Sequence, residues 1–241
     1  MNFTGKTPVS QIALSDPGAR RVLEDAGIDY CCGGAKSLGD ACLQANVRPE
    51  EILERLRQKN HQFATADEAE WTQADLSDLI RHIRERHHQY VRKAIPRLRT
   101  LLVKVRAKHI EKHPEIDEVG RLFEQVVREM VMHMQKEEQI LFPYIDNVAR
   151  AVREKASLEP PFFQTVTNPI YMMMREHDSA GELVRKIRRA TSNYSAPADV
   201  CTTFRATYQE LRQFEEDLHL HVHLENNILF PRAVELEAAA V

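Results

Sequence analysis

Two stretches of this sequence carry metal-ligating residue types at one and the same spacing. Residues 133–143 read HMQKEEQILFP and residues 221–231 read HVHLENNILFP. They agree at six of eleven positions: His, Glu, Ile, Leu, Phe and Pro. On a helix, a His and a Glu four residues apart stand about 40° apart around the axis and ~6 Å along it. His133 with Glu137, and His221 with Glu225, can therefore each aim at one point. Upstream, His88 precedes His133 by 45 residues and His177 precedes His221 by 44. Four imidazoles and two carboxylates would thus converge between four helices. Burying that set alone is costly, because ionised carboxylates need strong compensation and neutral imidazoles need hydrogen bonds. A pair of cations supplies it. Each carboxylate then bridges two ions, each ion takes two imidazoles, and positions stay open for a small exogenous ligand. Mixed imidazole and carboxylate donors suit iron or manganese better than calcium or magnesium, and spacing does not choose between the first two. A lone His on an apolar helix face is more often a core or surface residue, but these four recur at a fixed interval.

Other residues compete for the same role. Glu85 with His88, and Glu216 with His219, have the Glu-x-x-His spacing of ferritin-like di-iron bundles, but they share no surrounding sequence. His109 lies 21 residues after His88. That is ~32 Å along a continuous helix, out of reach unless the helix breaks, for instance at Pro96. His61, His82, His87, His113, His219 and His223 read as surface or supporting residues, while Phe142, Pro143, Phe230 and Pro231 read as packing and helix-stopping or kinking residues. The adjacent Cys31 and Cys32, followed by Gly33 and Gly34, read as an exposed, mobile loop capable of soft ligation or redox chemistry. Cys42 and Cys201 read as buried small hydrophobes.

The elements that must position these residues follow from periodicity. Apolar residues recur at helical spacing over four segments, roughly 76–108, 116–142 (or past Pro143), 169–191 and 199–230. Pro96 should kink the first and Pro231 sits near the end of the last. Two αα-hairpins built to one plan predict an all-α, antiparallel four-helix bundle over 75–241. Residues 1–60 form a small helical unit, with short helices over 8–14, 17–25 and 49–59, and 61–74 is a polar linker. Only 8 glycines in 241 residues, about 3% against a usual ~7%, argue against a turn-rich β architecture. A net charge of −3 argues against nucleic-acid binding driven by bulk charge, and the basic run Arg185, Lys186, Arg188, Arg189 reads as a solvated helix face. The first residues lack a signal-peptide core and no apolar run approaches a membrane span, so a cytoplasmic protein with reduced thiols is expected, with no membrane partner.

The pattern His88…His133-x3-Glu137…His177…His221-x3-Glu225 resembles the hemerythrin-like domain. Together with DYCCGG, KEEQILFP, REHDSAGEL and LENNILFPRA it resembles the iron–sulfur cluster repair di-iron proteins over nearly the whole chain. The resemblance implies two non-haem irons in an oxo- and carboxylate-bridged centre, with the four His as terminal ligands and the two Glu as bridges. It identifies Cys31 and Cys32 with that family's cysteine pair, a candidate relay for iron or nitrosyl. It also implies nitric oxide or oxygen as the small ligand and damaged iron–sulfur proteins as clients; the sequence leaves the oligomeric state open, a homodimer included. Oxygen-carrying hemerythrins have a further His one turn before the third-helix ligand, where this sequence has Met173, so iron exchange and nitric oxide binding are favoured over oxygen transport. Rival readings are a nitric oxide or oxygen sequestering protein, a di-iron nitric oxide reductase and, weakest, a ferroxidase or iron store.

Overall fold

A computed structural model describes residues 3–15, 17–59 and 71–240. Among them the chain is all-α, the one extended pairing being an isolated bridge between Pro8 and Ser37. It divides into two compact units, one of residues up to Leu79 with Val222–Arg232, the other Ile80–His221 with Ala233–Val241. The linker expected over 61–74, and His61 with it, lies mostly outside the described residues.

The first unit is built from α1 (Val9–Ser15), α2 (Pro17–Asp25), α3 (Leu38–Ala45) and α4 (Pro49–Lys59). Their apolar faces bury Val9, Ile12, Val22, Leu23, Leu38, Cys42 and Ile52, each large side chain contributing ~1.5–3 kcal/mol. Gly27, at φ 68°, ends α2 in the left-handed region that glycine enters without strain. Periodicity did not predict α3, because eight residues give little more than two turns to read. Its start signal is local: Ser37 accepts from the Asp40 N–H at 3.2 Å and donates to the Asp40 carboxylate at 2.6 Å. Asn46 closes it in the left-handed conformation.

The long helices follow in the chain. α5 (Leu76–His82) leads into a π-helical turn, π1 (Ile83–His88), and then α6 (Gln89–His109). α7 (Glu115–Lys136) passes through π2 (Glu137–Leu141) into α8 (Phe142–Glu154). α9 (Thr167–Ala190) follows, and α10 (Thr202–Leu224) passes through π3 (Glu225–Leu229) into α11 (Phe230–Ala240). α6, α7, α9 and α10 form the antiparallel bundle, with Leu98, Phe123, Val126, Val184, Leu211 and Phe214 in its core. α6 runs unbroken through Pro96. The duplicated prolines do not stop their helices either. In each half the wide turn ends on an i→i−5 bond, Phe142 N–H to the Glu137 carbonyl and Phe230 N–H to the Glu225 carbonyl. A widened turn just before Pro143 and Pro231 relieves the clash of a proline ring with the carbonyl four residues back. No helix of the described residues is long and apolar enough to cross a membrane.

Candidate metal centre

Each π turn begins or ends on a candidate ligand: His88 closes π1, Glu137 opens π2 and Glu225 opens π3. A single inserted residue rotates the backbone locally, which is why such turns collect at functional positions. His133 sits four residues before Glu137, His221 four before Glu225, and His177 in the middle of α9. All six side chains are buried, none more than 1% exposed.

The imidazoles meet in pairs. His88 Nε2 lies 3.2 Å from His221 Nε2, and His177 Nε2 lies 2.9 Å from His133 Nε2. Glu137 faces both pairs, with Oε2 3.4 Å from His88 Nε2 and Oε1 3.1 Å from His133 Nε2. Glu225, one turn beyond His221 on the same helical run, completes two groups. One is His88, Glu137, His221 and Glu225; the other is His133, Glu137, His177 and Glu225, with one donor atom of each residue within 4.8 Å of the rest. The two glutamates are common to both.

Carboxylates on neighbouring helices set the imidazoles. His88 Nδ1 is 2.7 Å from Glu138 Oε1, and His133 Nδ1 is 3.0 Å from Glu176 Oε2. With Nδ1–H donated outward, Nε2 turns its lone pair to the interior. Burial disfavours the charge on Glu138, but Arg92 and His88 outweigh it and hold its carboxyl below the usual range. The His133 hydrogen bond overcomes burial at Glu176 and, with Lys136, brings it down to about 2. His87, read as surface or supporting, is fully buried between Asp217, 3.0 Å from its Nδ1, and the His221 ring stacked 5.6 Å away. Sequence reasoning missed Glu138 and Glu176. The available signal was adjacency, since each flanks a candidate ligand.

Donor chemistry fits a pair of hard-to-borderline cations. Two nitrogens sharing an octahedral ion at bonds of ~2.1 Å lie ~3.0 Å apart, close to both observed separations. The rival set does not gather: Glu85 is exposed, and Glu216 is exposed and paired with Arg212 at 2.9 Å. His109 joins neither group; its Nε2 lies 3.1 Å from Cys201 Sγ. Cys201 is half-buried rather than a core residue, and the Phe204 N–H beside it holds its thiol below the usual range.

The cysteine pair was expected on an exposed loop, yet Cys31 is only 5% exposed and Cys32 half-buried. Asp29 Oδ1 accepts the N–H groups of Cys31, Cys32 and Gly33 at 3.1, 2.9 and 3.2 Å. Asn226 donates to the Cys31 carbonyl at 3.1 Å and Asn227 to the Tyr30 carbonyl at 3.2 Å. These asparagines stand where the first copy of the duplicated stretch has Glu138 and Gln139. One copy orients an imidazole; the other holds the cysteine loop. The Cys32 thiol beside it, followed by burial, holds the Cys31 thiol well above its usual range.

Comparison with known proteins bears on the whole chain. The profile of the hemerythrin HHE cation-binding domain matches residues 79–233, and that of ScdA_N, a domain of unknown function, matches residues 5–60. A Haemophilus influenzae protein named "probable iron–sulfur cluster repair protein" is 37% identical over 228 residues, covering 94% of this chain and 96% of the relative. The iron–sulfur cluster repair protein YtfE of Citrobacter koseri is 34% identical, and that of Salmonella paratyphi B 35%, over 227 residues and with the same coverage.

Proposed function

The chain belongs to the hemerythrin-domain family of iron–sulfur cluster repair proteins, and from that membership we propose that it repairs iron–sulfur clusters damaged by nitric oxide or oxidants. The observation that carries this reading is the sharing of Glu137 and Glu225 by two buried His pairs, the donor set of a dinuclear rather than a single-ion site. His88 and His221 would hold one iron, His133 and His177 the other, and the two carboxylates would bridge them. An iron pair held there would supply redox chemistry and a position for nitric oxide or oxygen. Burial keeps the donors dry, while Glu138 and Glu176 keep the Nε2 lone pairs inward. Iron is then also cargo. The chain donates it to a damaged client, and Cys31 and Cys32 relay it. Buried Met173 stands where an oxygen carrier has a further imidazole, so this chain would offer a bound ion one nitrogen donor fewer there.

Metal analysis, visible spectroscopy and a cluster-restoration assay test the reading together. The purified protein is expected to carry two irons per chain. Glu137→Leu or Glu225→Leu should lose most of them, whereas His109→Leu should keep both. Retention of two irons by the glutamate variants overturns the ligand assignment. Replacing Cys31 and Cys32 together with Ser should leave nitric oxide binding intact and abolish restoration. Unchanged restoration would remove the cysteine pair from the relay.

A further inference from the structure

Within the first unit, Asp29, Cys31 and Cys32 each offer a donor atom within 4.8 Å of the others. We propose that these three residues form a second, single-ion site for a thiophilic divalent cation, with Asp29 as a ligand beside the two thiolates and one position left open. This deepens the repair reading, on which it rests only for the identity of the physiological ion, ferrous iron in transit.

The distances argue for it. Two sulfurs bound to one tetrahedral ion at ~2.3 Å stand ~3.8 Å apart, and a sulfur and an oxygen at ~2.3 and ~2.0 Å stand ~3.5 Å apart. Cys31 Sγ lies 3.9 Å from Cys32 Sγ and 3.3 Å from Asp29 Oδ1. The pair is therefore spread at the span of a chelate, far from the ~2.05 Å of a disulfide. Adjacent residues rarely present two side chains to one point, and here the backbone is fixed from both sides. Asp29 gathers three consecutive N–H groups, and Asn226 and Asn227 clamp the carbonyls of Cys31 and Tyr30. Gly34 allows that approach, since a Cβ there would come within 2.7 Å of Asn227 Oδ1. Two soft donors and one carboxylate select zinc or ferrous iron over magnesium or calcium. Half-buried Cys32 and Asp29 leave the ion reachable from solvent, as a site that receives and passes on its cargo requires. On binding, two S–H bonds break, two metal–sulfur bonds form, and two protons pass to the buffer.

Cobalt(II) titration of the full-length, iron-free protein under anaerobic conditions is the test. A thiolate-to-cobalt charge-transfer band should rise and saturate at one ion per chain, with two protons released. The candidate bundle donors include no thiol, so this band reports the new site alone. Cys31→Ser and Cys32→Ser should each abolish it, and Cys42→Ala and Cys201→Ser should not. Asp29→Asn keeps an oxygen for the three N–H groups and should retain the thermal transition while weakening cobalt at least about tenfold, as expected for lost ligation. No band, or a band surviving in the Cys31/Cys32 double variant, overturns the site. Wild-type affinity in Asp29→Asn removes the carboxylate from it. Glu137→Leu should leave the band unchanged. A missing band with two bundle irons retained defeats this inference and spares the repair reading, and the reverse result does the opposite.

Discussion

Glu176 shows how one side chain can serve both binding and stability. It accepts from His133 Nδ1 at 3.0 Å and pairs with Lys136, which together hold its carboxyl at about 2 against the cost of burial. Because its folded pKa lies below the ordinary 4.5, its contribution to stability is complete above that value and is lost as pH falls toward about 2. Glu176→Gln should flatten this part of the acid-unfolding curve, followed by circular dichroism. It should also lower metal affinity by about 10–100-fold, since the amide no longer fixes the imidazole with a charged acceptor. An unchanged affinity by competition with a chelator would show that His133 is oriented without it. The residue was in plain view beside His177, but nothing local says which helix its carboxylate meets.

At the scale of elements, the π turns and the cysteine loop do work that helical periodicity does not reveal. Segments 116–142 and 199–230 were legible as helices because their apolar faces repeat every three to four residues. A run past Pro143 was left open and one to Ala240 was not read, since a proline ordinarily reads as a stop. Here a widened turn over 137–141 and 225–229 precedes each proline and makes room for its ring. The cysteine loop has a comparable hidden constraint at Gly34, whose Cβ would meet Asn227 Oδ1 at 2.7 Å, Ser10 Cβ at 2.9 Å and the Tyr30 carbonyl at 2.9 Å. Two of those are not flexible side-chain ends, so Gly34→Ala should destabilise the first unit by about 1–3 kcal/mol in urea unfolding. A midpoint equal to wild type would mean that the loop moves freely.

For the molecule as a whole, the last helix is tied down by one buried acid. Glu237 accepts from Tyr144 Oη at 2.6 Å, Thr165 Oγ1 at 2.6 Å and the Val166 N–H at 2.8 Å, joining α11 to α8 and to the start of α9. Burial disfavours its charge, but these three donors prevail and hold its carboxyl below the usual range. Glu237→Leu strands donors that burial then penalises, at about 1–3 kcal/mol for each left unmet. The thermal midpoint should fall by several degrees, and an unchanged midpoint would show that the helix end is not needed.

The sequence by itself settled the all-α class, the duplicated hairpins and the six side chains that gather, because i, i+4 pairs share a helix face whatever surrounds them. It also located the cysteine pair, though not its burial. Only the tertiary structure decided that Glu138 and Glu176 orient the imidazoles and that Asn226 and Asn227 grip the cysteine loop. Those bonds join residues 50, 43, 195 and 197 positions apart. A short polar contact between distant parts of a chain exists only once apolar packing has fixed the register of the elements that carry it.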